Sequence, residues 1–520
     1  MALPQPLHIF RKDVRHLWPE TLVVLALFLA FAWSAPSRWT DSPYSAVAPF
    51  LSAFLKALMP VSWLVIISRL IHDEPLVGDR QFWTSRPYHW ASLLFAKLLF
   101  LVVFLYVPFL FMQVYLLKHA GLYPTTAIPA LLQNLLLLTV LIIVPITALA
   151  SVTATFARLL LIVLGAMLYV IVLSLFFAWI AFQHMPPPAL KPMLIGIFIL
   201  LPAIALVYQY ATRKTNVTRI MLAATPLVIL LLLFLTPAAA LIRSAYPVLA
   251  GASNPKLGTL PDEYAPKVPK PGELINFRSN TQITVPFTVA GVDKDSNYVI
   301  QGASISLDSA GTHYASPYIS TTGQINAGAP FALVNLPMPL AVFNKVKATA
   351  TDLHVSLVTD HLKAEPMQTW KATLLPFAVP GHGLCSFSSH NPNASPICRY
   401  PFKTPELNLV SASLAVGSCS APGGQSILGS ATIGGESGML DFDPVITAPL
   451  ELRPRQQTPP GMKFVLCPGA PLAFVEAHTV GRARFEFDEK HMVLDNFAAR
   501  IPPPNTQEPG LDQLQQGPPQ

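Results

Sequence analysis

Residues of the types that do chemistry are sparse in this chain: charged side chains make up 12% of its 520 residues. The densest group is His382, Cys385, His390 and Cys398, and His and Cys are the usual zinc ligands. Their spacing matches no compact finger, and the cysteines have a simpler use in a disulfide. All four cysteines, Cys385, Cys398, Cys419 and Cys467, fall in the distal half. An even number confined to one region suits disulfides in an oxidising compartment, and four cysteines allow three pairings. The local pair Cys385 with Cys398 is preferred, leaving Cys419 with Cys467. No HExxH helix, GxSxG elbow or paired-carboxylate pattern occurs in the distal half. His313, His354, His361, His478 and His491 are scattered and read as surface or strand residues. No Gly-rich loop ends in Gly-Lys-Ser/Thr, so the chain lacks the loop that cradles nucleotide phosphates. The glycines of GGQSILGSATIGGESG suit turns between strands. Enzymatic activity, a bound cofactor and a metal centre are therefore not expected.

A second concentration of polar residues is His72 to Leu99, HDEPLVGDRQFWTSRPYHWASLLFAKLL, which lies between two long apolar runs. Asp73 and Glu74 mark the exit from the first run, and Pro75 and Gly78 forbid a simple helical continuation. Arg86 and Pro87 close the island before a new apolar helix near Trp90. A loop that only reversed direction could be far shorter. One this rich in Trp and Arg reads as a contact surface.

The elements around these residues follow from hydropathy. Hydrophobic residues make up 52% of the chain and are concentrated between Thr21 and Leu241. A membrane crossing takes about 20 apolar residues. Seven candidate spans follow: Thr21 to Ala35, Ala48 to Ile71, Trp90 to Leu117, Ile128 to Ala150, Leu159 to Phe182, Leu194 to Tyr210, and Ile220 to Leu241. The first is short unless it begins within the preceding helix, and it reads as a retained span rather than a cleaved signal. Lys56 and Pro60 in the second suggest a kink, with the Lys56 amine snorkelling. Residues 1–20 form an amphipathic segment, with Leu7, Phe10, Val14, Leu17 and Trp18 on one face and Arg11, Lys12 and Arg15 on another. Such a helix lies in the membrane interface; a positively flanked start of a span is the plainer reading.

The net charge of +7 would suggest nucleic acid in a soluble protein. Here the bases sit in short loops, so no nucleic-acid partner is expected. With the N-terminus inside, Arg11, Lys12, Arg15, Arg80, Arg86, Arg158, Arg213, Lys214 and Arg219 are cytoplasmic, as the positive-inside rule asks. External loops before the last span then hold only Arg38, Lys118 and Lys191. Acidic residues are absent from span interiors after Glu74, which argues against a proton- or sodium-coupled carrier.

The helical region, residues 21–243, delivers the chain to the outside. Residues 244–275 are Pro-rich and read as a semi-rigid linker. Between 276 and 500, short alternating runs such as QITVPFTV, NYVIQGASISL, KVKATATDLHVSLV, LNLVSASLAV, AFVEAHTV and RARFEF point to an all-β, sandwich-like extracytoplasmic domain. Residues 501–520 lack core-forming side chains and are expected to be a disordered tail.

In the N-terminal half the order of residues resembles the permease subunits of type-2, exporter-class ABC transporters. There the second span is followed by an acid, a Gly, a polar-aromatic stretch and a Pro, then a Lys early in the third span. Those roles fall on Glu74, Gly78, Phe82 to Arg86, Pro87 and Lys97. The resemblance implies that this loop couples to a separate P-loop ATPase subunit, with Phe82, Trp83 and Arg86 as the contact. Glu74 would orient the loop and Pro87 would fix entry into the third span. It further implies a second permease half, as homodimer or heterodimer, and a bacterial inner-membrane location. Seven spans exceed the family's usual six, and the large distal domain replaces its short tail. A membrane anchor or sensor acting through its β domain is the rival expectation.

Overall fold

The computed structural model describes residues 5–39, 47–74, 90–125, 127–181, 190–248, 255–261, 263–277, 279–309, 311–327, 329–371, 376–379, 383–387, 396–401, 407–414, 427–434, 442–449, 453–454 and 469–501. The first half is helical: α1 (Gln5–His16), α2 (Trp18–Ser34), α3 (Val47–His72), α4 (Trp90–Leu101), α5 (Val107–His119), α6 (Ile128–Leu138), α7 (Val144–Val152), α8 (Phe156–Ala181), α9 (Leu190–Thr212), α10 (Thr215–Leu235) and α11 (Ala238–Ala245). Among the described residues, six stretches are long and apolar enough to cross a membrane. They are Trp18–Ser37, Phe50–His72, Trp90–His119, Ile128–Val152, Met193–Thr212 and Thr215–Leu232. α8 is a further helix of 26 residues.

Proline chemistry explains where these helices depart from the apolar runs. The first begins at Trp18, three residues earlier than hydropathy suggests, with Pro19 in the first turn, where its missing N–H costs nothing. The last is cut at Thr236, which is extended ahead of Pro237, so Ala238–Ala245 is a separate short helix. Pro60 lies within a continuous α3. α4 and α5 are joined by a π-helical turn over Val102–Tyr106, and α6 and α7 by another over Thr139–Ile143. Each wide turn ends two residues before a proline, Pro108 and Pro145, and so relieves the clash of its ring with the preceding turn. The Tyr106 hydroxyl donates to Thr139 Oγ1 at 2.7 Å, tying one π turn to the other.

Beyond the helices, β1 (Lys256–Gly258), β2 (Asn280–Ala290), β3 (Ser296–Ser309), β4 (Phe331–Pro339) and β5 (Ala350–Ala364) are followed by β6 (Phe377–Val379), β7 (Gly383–Phe387), β8 (Pro396–Pro401), β9 (Val445–Pro449) and β10 (Pro471–Val493). β1, β2 and β4 belong to one sheet; β3, β5 and β10 lie in a larger one of nine strands. Their facing side chains form one core, in which Val285, Phe287 and Leu336 meet Tyr298, Leu353 and Phe485. Burying each large apolar side chain there contributes about 1.5–3 kcal/mol. The runs AFVEAHTV and RARFEF are one strand of 23 residues, not two. The register against β5 shifts between Thr479 and Gly481, so Val480 is the extra residue. The first residues of KVKATATDLHVSLV close α12 (Leu340–Val346) and the turn after it, and the strand starts at Ala350. The Pro-rich segment supplies an edge strand, because Lys256–Gly258 pairs antiparallel with Thr288–Ala290.

A smaller sheet, in the order β6-β7-β8-β9, caps the end of the bundle reached by α2 and α5. Cys385 of β7 and Cys398 of β8 form the disulfide favoured from local spacing. The Leu384 N–H donates to the Ala120 carbonyl at 3.2 Å, and the Arg399 guanidinium lies 5.4 Å from the Trp39 ring centroid. Gly121 and Gly383 both have positive φ, +81° and +58°. A Cβ at Gly121 would meet Leu384 Cγ at 2.8 Å, and one at Gly383 would meet the Arg399 and Ala120 carbonyls at 2.9 and 3.0 Å. Only glycine serves both the backbone conformation and the approach there.

Candidate functional site

At the opposite end of the bundle, charged side chains from two helices and one turn converge. α1 brings Lys12 and Asp13, the turn after α3 brings Glu74, and α4 brings Lys97. Asp13, Glu74 and Lys97 are 1%, 3% and 3% exposed. Lys97 Nζ lies 2.8 Å from Asp13 Oδ2 and 3.1 Å from Glu74 Oε2, and Lys12 Nζ lies 2.5 Å from Glu74 Oε1. Two cations and two carboxylates balance, as burial of charge requires.

Local sequence explains the convergence. Ile9 and Asp13 on α1 and Leu17 just beyond its end are spaced four apart and all are buried, so the stripe facing the bundle carries an acid between two apolar residues. Phe10 packs beside this stripe, its ring centroid 6.5 Å from Phe100 and 6.2 Å from Phe104. Trp18, which hydropathy puts on the apolar face, is 57% exposed, because α2 has already begun there. α1 is thus seated against α4 through Asp13 as well as through its aromatic. Lys97 follows Trp90 by two turns, which carries its amine back toward the start of α4.

Burial pushes the Asp13 carboxyl above its usual range, and the attraction of Lys97 opposes this. Burial acts in the same direction on Glu74, but Lys97 and Lys12 together outweigh it and hold Glu74 below the usual range. The difference follows from partners: Glu74 faces two amines closely, whereas Asp13 faces one closely and Lys12 only at 3.9 Å. Tyr210 of α9, 2% exposed, lies in the field of both carboxylates.

Further contacts knit the same end. Arg69 pairs with Glu20 at 2.9 Å and His16 with Asp73 at 3.3 Å. His72 Nε2 is 3.1 Å from the Ala150 carbonyl, and Arg219 donates twice to the Val152 carbonyl, at 3.2 and 2.9 Å. The last two satisfy carbonyls left open at the end of α7. Glu74, at the end of one described stretch, and Lys97, seven residues after the next begins at Trp90, therefore belong to one ionic group.

Among the residues expected to form a site, Glu74 is placed here, joined to Lys97 across that loop. Gly78, Phe82, Trp83, Arg86 and Pro87 lie outside the described residues, as do Cys419, Cys467, His382 and His390. Cys385 and Cys398 are disulfide-bonded and have no thiolate for zinc. Lys56 lies with its amine 6.0 Å from the Phe31 ring centroid. Asp13 was not singled out from sequence; its signal was an acid at the fourth position from both Ile9 and Leu17. Comparison with family models and with curated proteins gives no match.

Among the described residues, one group has His and carboxylate atoms close enough for a metal ion: Glu365, Glu476 and His478, within 4.8 Å of one another. His478 Nε2 lies 3.1 Å from Glu365 Oε1 and 3.8 Å from Glu476 Oε1, an ion-paired set at the domain surface. Burial raises the Glu476 carboxyl, with His478 lowering it and Glu365 raising it further. This is the ordinary behaviour of two acids sharing one base.

Proposed function

We propose that the chain is the permease subunit of an ATP-driven ABC exporter in a bacterial inner membrane, with the ATPase on a separate chain and a second permease half completing the transporter. The observation that carries this reading is the Lys12–Asp13–Glu74–Lys97 cluster. The acid before the loop and the lysine after it, which the family resemblance singles out, are in direct contact, and α1 is tied to both. A force on the 75–89 loop would pass at once into α1, α3 and α4, as a coupling element requires. On this reading the bundle end rich in Arg and Lys is cytoplasmic and the β domain extracytoplasmic, where the Cys385–Cys398 disulfide is stable. The chain itself catalyses nothing.

Purification from gently solubilised membranes tests this. Copurification of a P-loop ATPase whose association is lost on combined Trp83→Ala and Arg86→Ala substitution is the expected result. Absence of any ATPase, with the β domain retaining envelope partners, would establish the anchor or sensor reading instead.

A further inference from the structure

The loop leading into β9 enters the helix bundle. Phe442 is 8% exposed, and it and Val445 belong to the same apolar core as α2, α3 and α5. The Phe442 ring packs edge-to-face on Trp63 and Phe109, with centroids 5.5 and 6.0 Å away. Trp63 and Phe109 also meet each other at 5.8 Å, and Phe28 closes the group at 6.2 Å from Trp63 and 6.0 Å from Phe109. Phe109 is ten residues before the end of α5 at His119, roughly 15 Å along the helix. The ring therefore sits well inside the bundle, while Trp39 Nε1 is 3.4 Å from the neighbouring Asp443 Oδ2.

The clamp that holds this ring has polar capacity that the described residues do not use. Trp63 is 2% exposed and its indole N–H has no partner among the described residues. Gln113, one turn beyond Phe109 on α5, is fully buried, and among the described residues neither its amide nitrogen nor its oxygen is partnered. Unpaired buried donors and acceptors are costly, most of all where no water can reach. Two aromatic rings in contact with Phe442, with Phe28 packed on both of them and the Trp63 N–H and the Gln113 amide on the same helices, have the composition of a ligand pocket: mostly apolar, with few polar groups.

We propose that the cleft between α2, α3 and α5 is a binding site for a lipophilic molecule carrying a ring and a hydrogen-bonding group, and that Phe442 occupies its ring subsite from within the chain. The ring of the ligand takes the place of the phenyl group between Trp63 and Phe109. Its polar group accepts from the Trp63 N–H and pairs with the Gln113 amide. In the permease reading this would be a cargo site plugged by the distal domain, but the site stands without that reading.

The test uses the full-length protein in detergent with toluene and p-cresol, the side-chain analogues of Phe and Tyr, and needs no ATPase or transport. Phe442→Ala leaves a ring-sized vacancy, and apolar cavities of that size bind simple aromatics. Thermal unfolding of Phe442→Ala should begin from a lower midpoint than the parent. Both probes should raise that midpoint, p-cresol more than toluene, and should raise the parent's by less, because there the Phe442 ring must first leave the subsite. Adding Trp63→Leu should abolish the advantage of p-cresol. Equal shifts in parent and variant, no shift in the variant, or an unchanged p-cresol advantage without Trp63 would each overturn the proposal. If Phe442→Ala does not fold, p-benzoylphenylalanine at position 442 gives the second measurement. Its photo-cross-link is expected on the α3 or α5 peptide, and a cross-link to neither overturns the site.

Discussion

At one end of the helix bundle Asp13, Glu74 and Lys97 hold one another by charge while 1%, 3% and 3% exposed. At the other, the β domain is held by an inserted phenyl ring, two close-packed glycines and backbone contacts, with a disulfide immediately behind. Ionic contacts are directional and depend on protonation, and losing one partner strands the others. The inserted end depends mainly on volume and backbone shape, so a methyl added at Gly121 or Gly383 strains it.

The largest effect should come from breaking the ionic end. Lys97→Ala leaves two buried carboxylates to share the part-exposed Lys12 amine and should cost about 3–5 kcal/mol, read as a lower unfolding midpoint or failed accumulation in the membrane. Lys97→Met combined with Asp13→Leu and Glu74→Met should recover most of that loss, because apolar groups of similar volume need no partner. A triple variant no more stable than Lys97→Ala would show that charge is not what holds this end.

Next is the staple behind the inserted end. Cys385 and Cys398 are 13 residues apart, and replacing both with Ser should cost about 2–3 kcal/mol by releasing a loop of that length. The loss should appear as earlier proteolysis of the β domain, with the helical half unchanged. Coincident loss of both halves would mean the two ends are one cooperative unit.

Acid and alkali should separate the regions. Glu489, 5% exposed, accepts from the Leu260 N–H at 3.1 Å, and burial raises its carboxyl to about 7, with that hydrogen bond lowering it. A folded value above the usual 4.5 means the folded domain binds the proton more tightly. Stability of the β domain should therefore fall as pH rises from about 4.5 to about 7 and stay lower above that. Glu489→Gln should remove this slope and stabilise the domain by about 1–3 kcal/mol at pH 8. Glu74 has the opposite sign. Its depressed folded value makes its contribution complete above the ordinary carboxylate range and lost as pH falls through that folded value. Parallel pH titrations of the two regions by hydrogen exchange would check both.

The smallest effect is expected from Gly121→Ala, about 1–2 kcal/mol from the positive φ alone. Leu384 adds to it only as far as its side chain cannot shift. The same substitution at Gly311, which has φ +85° and no neighbour within 4 Å, isolates the backbone share.

Much of this architecture was legible in the sequence because lipid and water impose such different requirements on a chain. Apolar runs from Trp18 to Leu235 could only be helices, and alternating runs after Asn280 could only be strands with one buried face. Glu74 was conspicuous as an acid at the exit of a span, and Lys97 as a base inside the start of the next. Local spacing favoured Cys385 with Cys398. Pattern could not show where Asp13 points, because an acid beside Lys12 and near Arg11 and Arg15 reads as a solvated face until α4 presents Lys97 to it. Nor could pattern place Phe442, which lies in a Gly-rich stretch hundreds of residues from Trp63 and Phe109. Secondary structure and membrane crossing are set by short-range periodicity, which a single chain carries openly. Which buried charge meets which, and which ring fills which cleft, depend on contacts between residues far apart in sequence, and only the packed bundle brings them within reach.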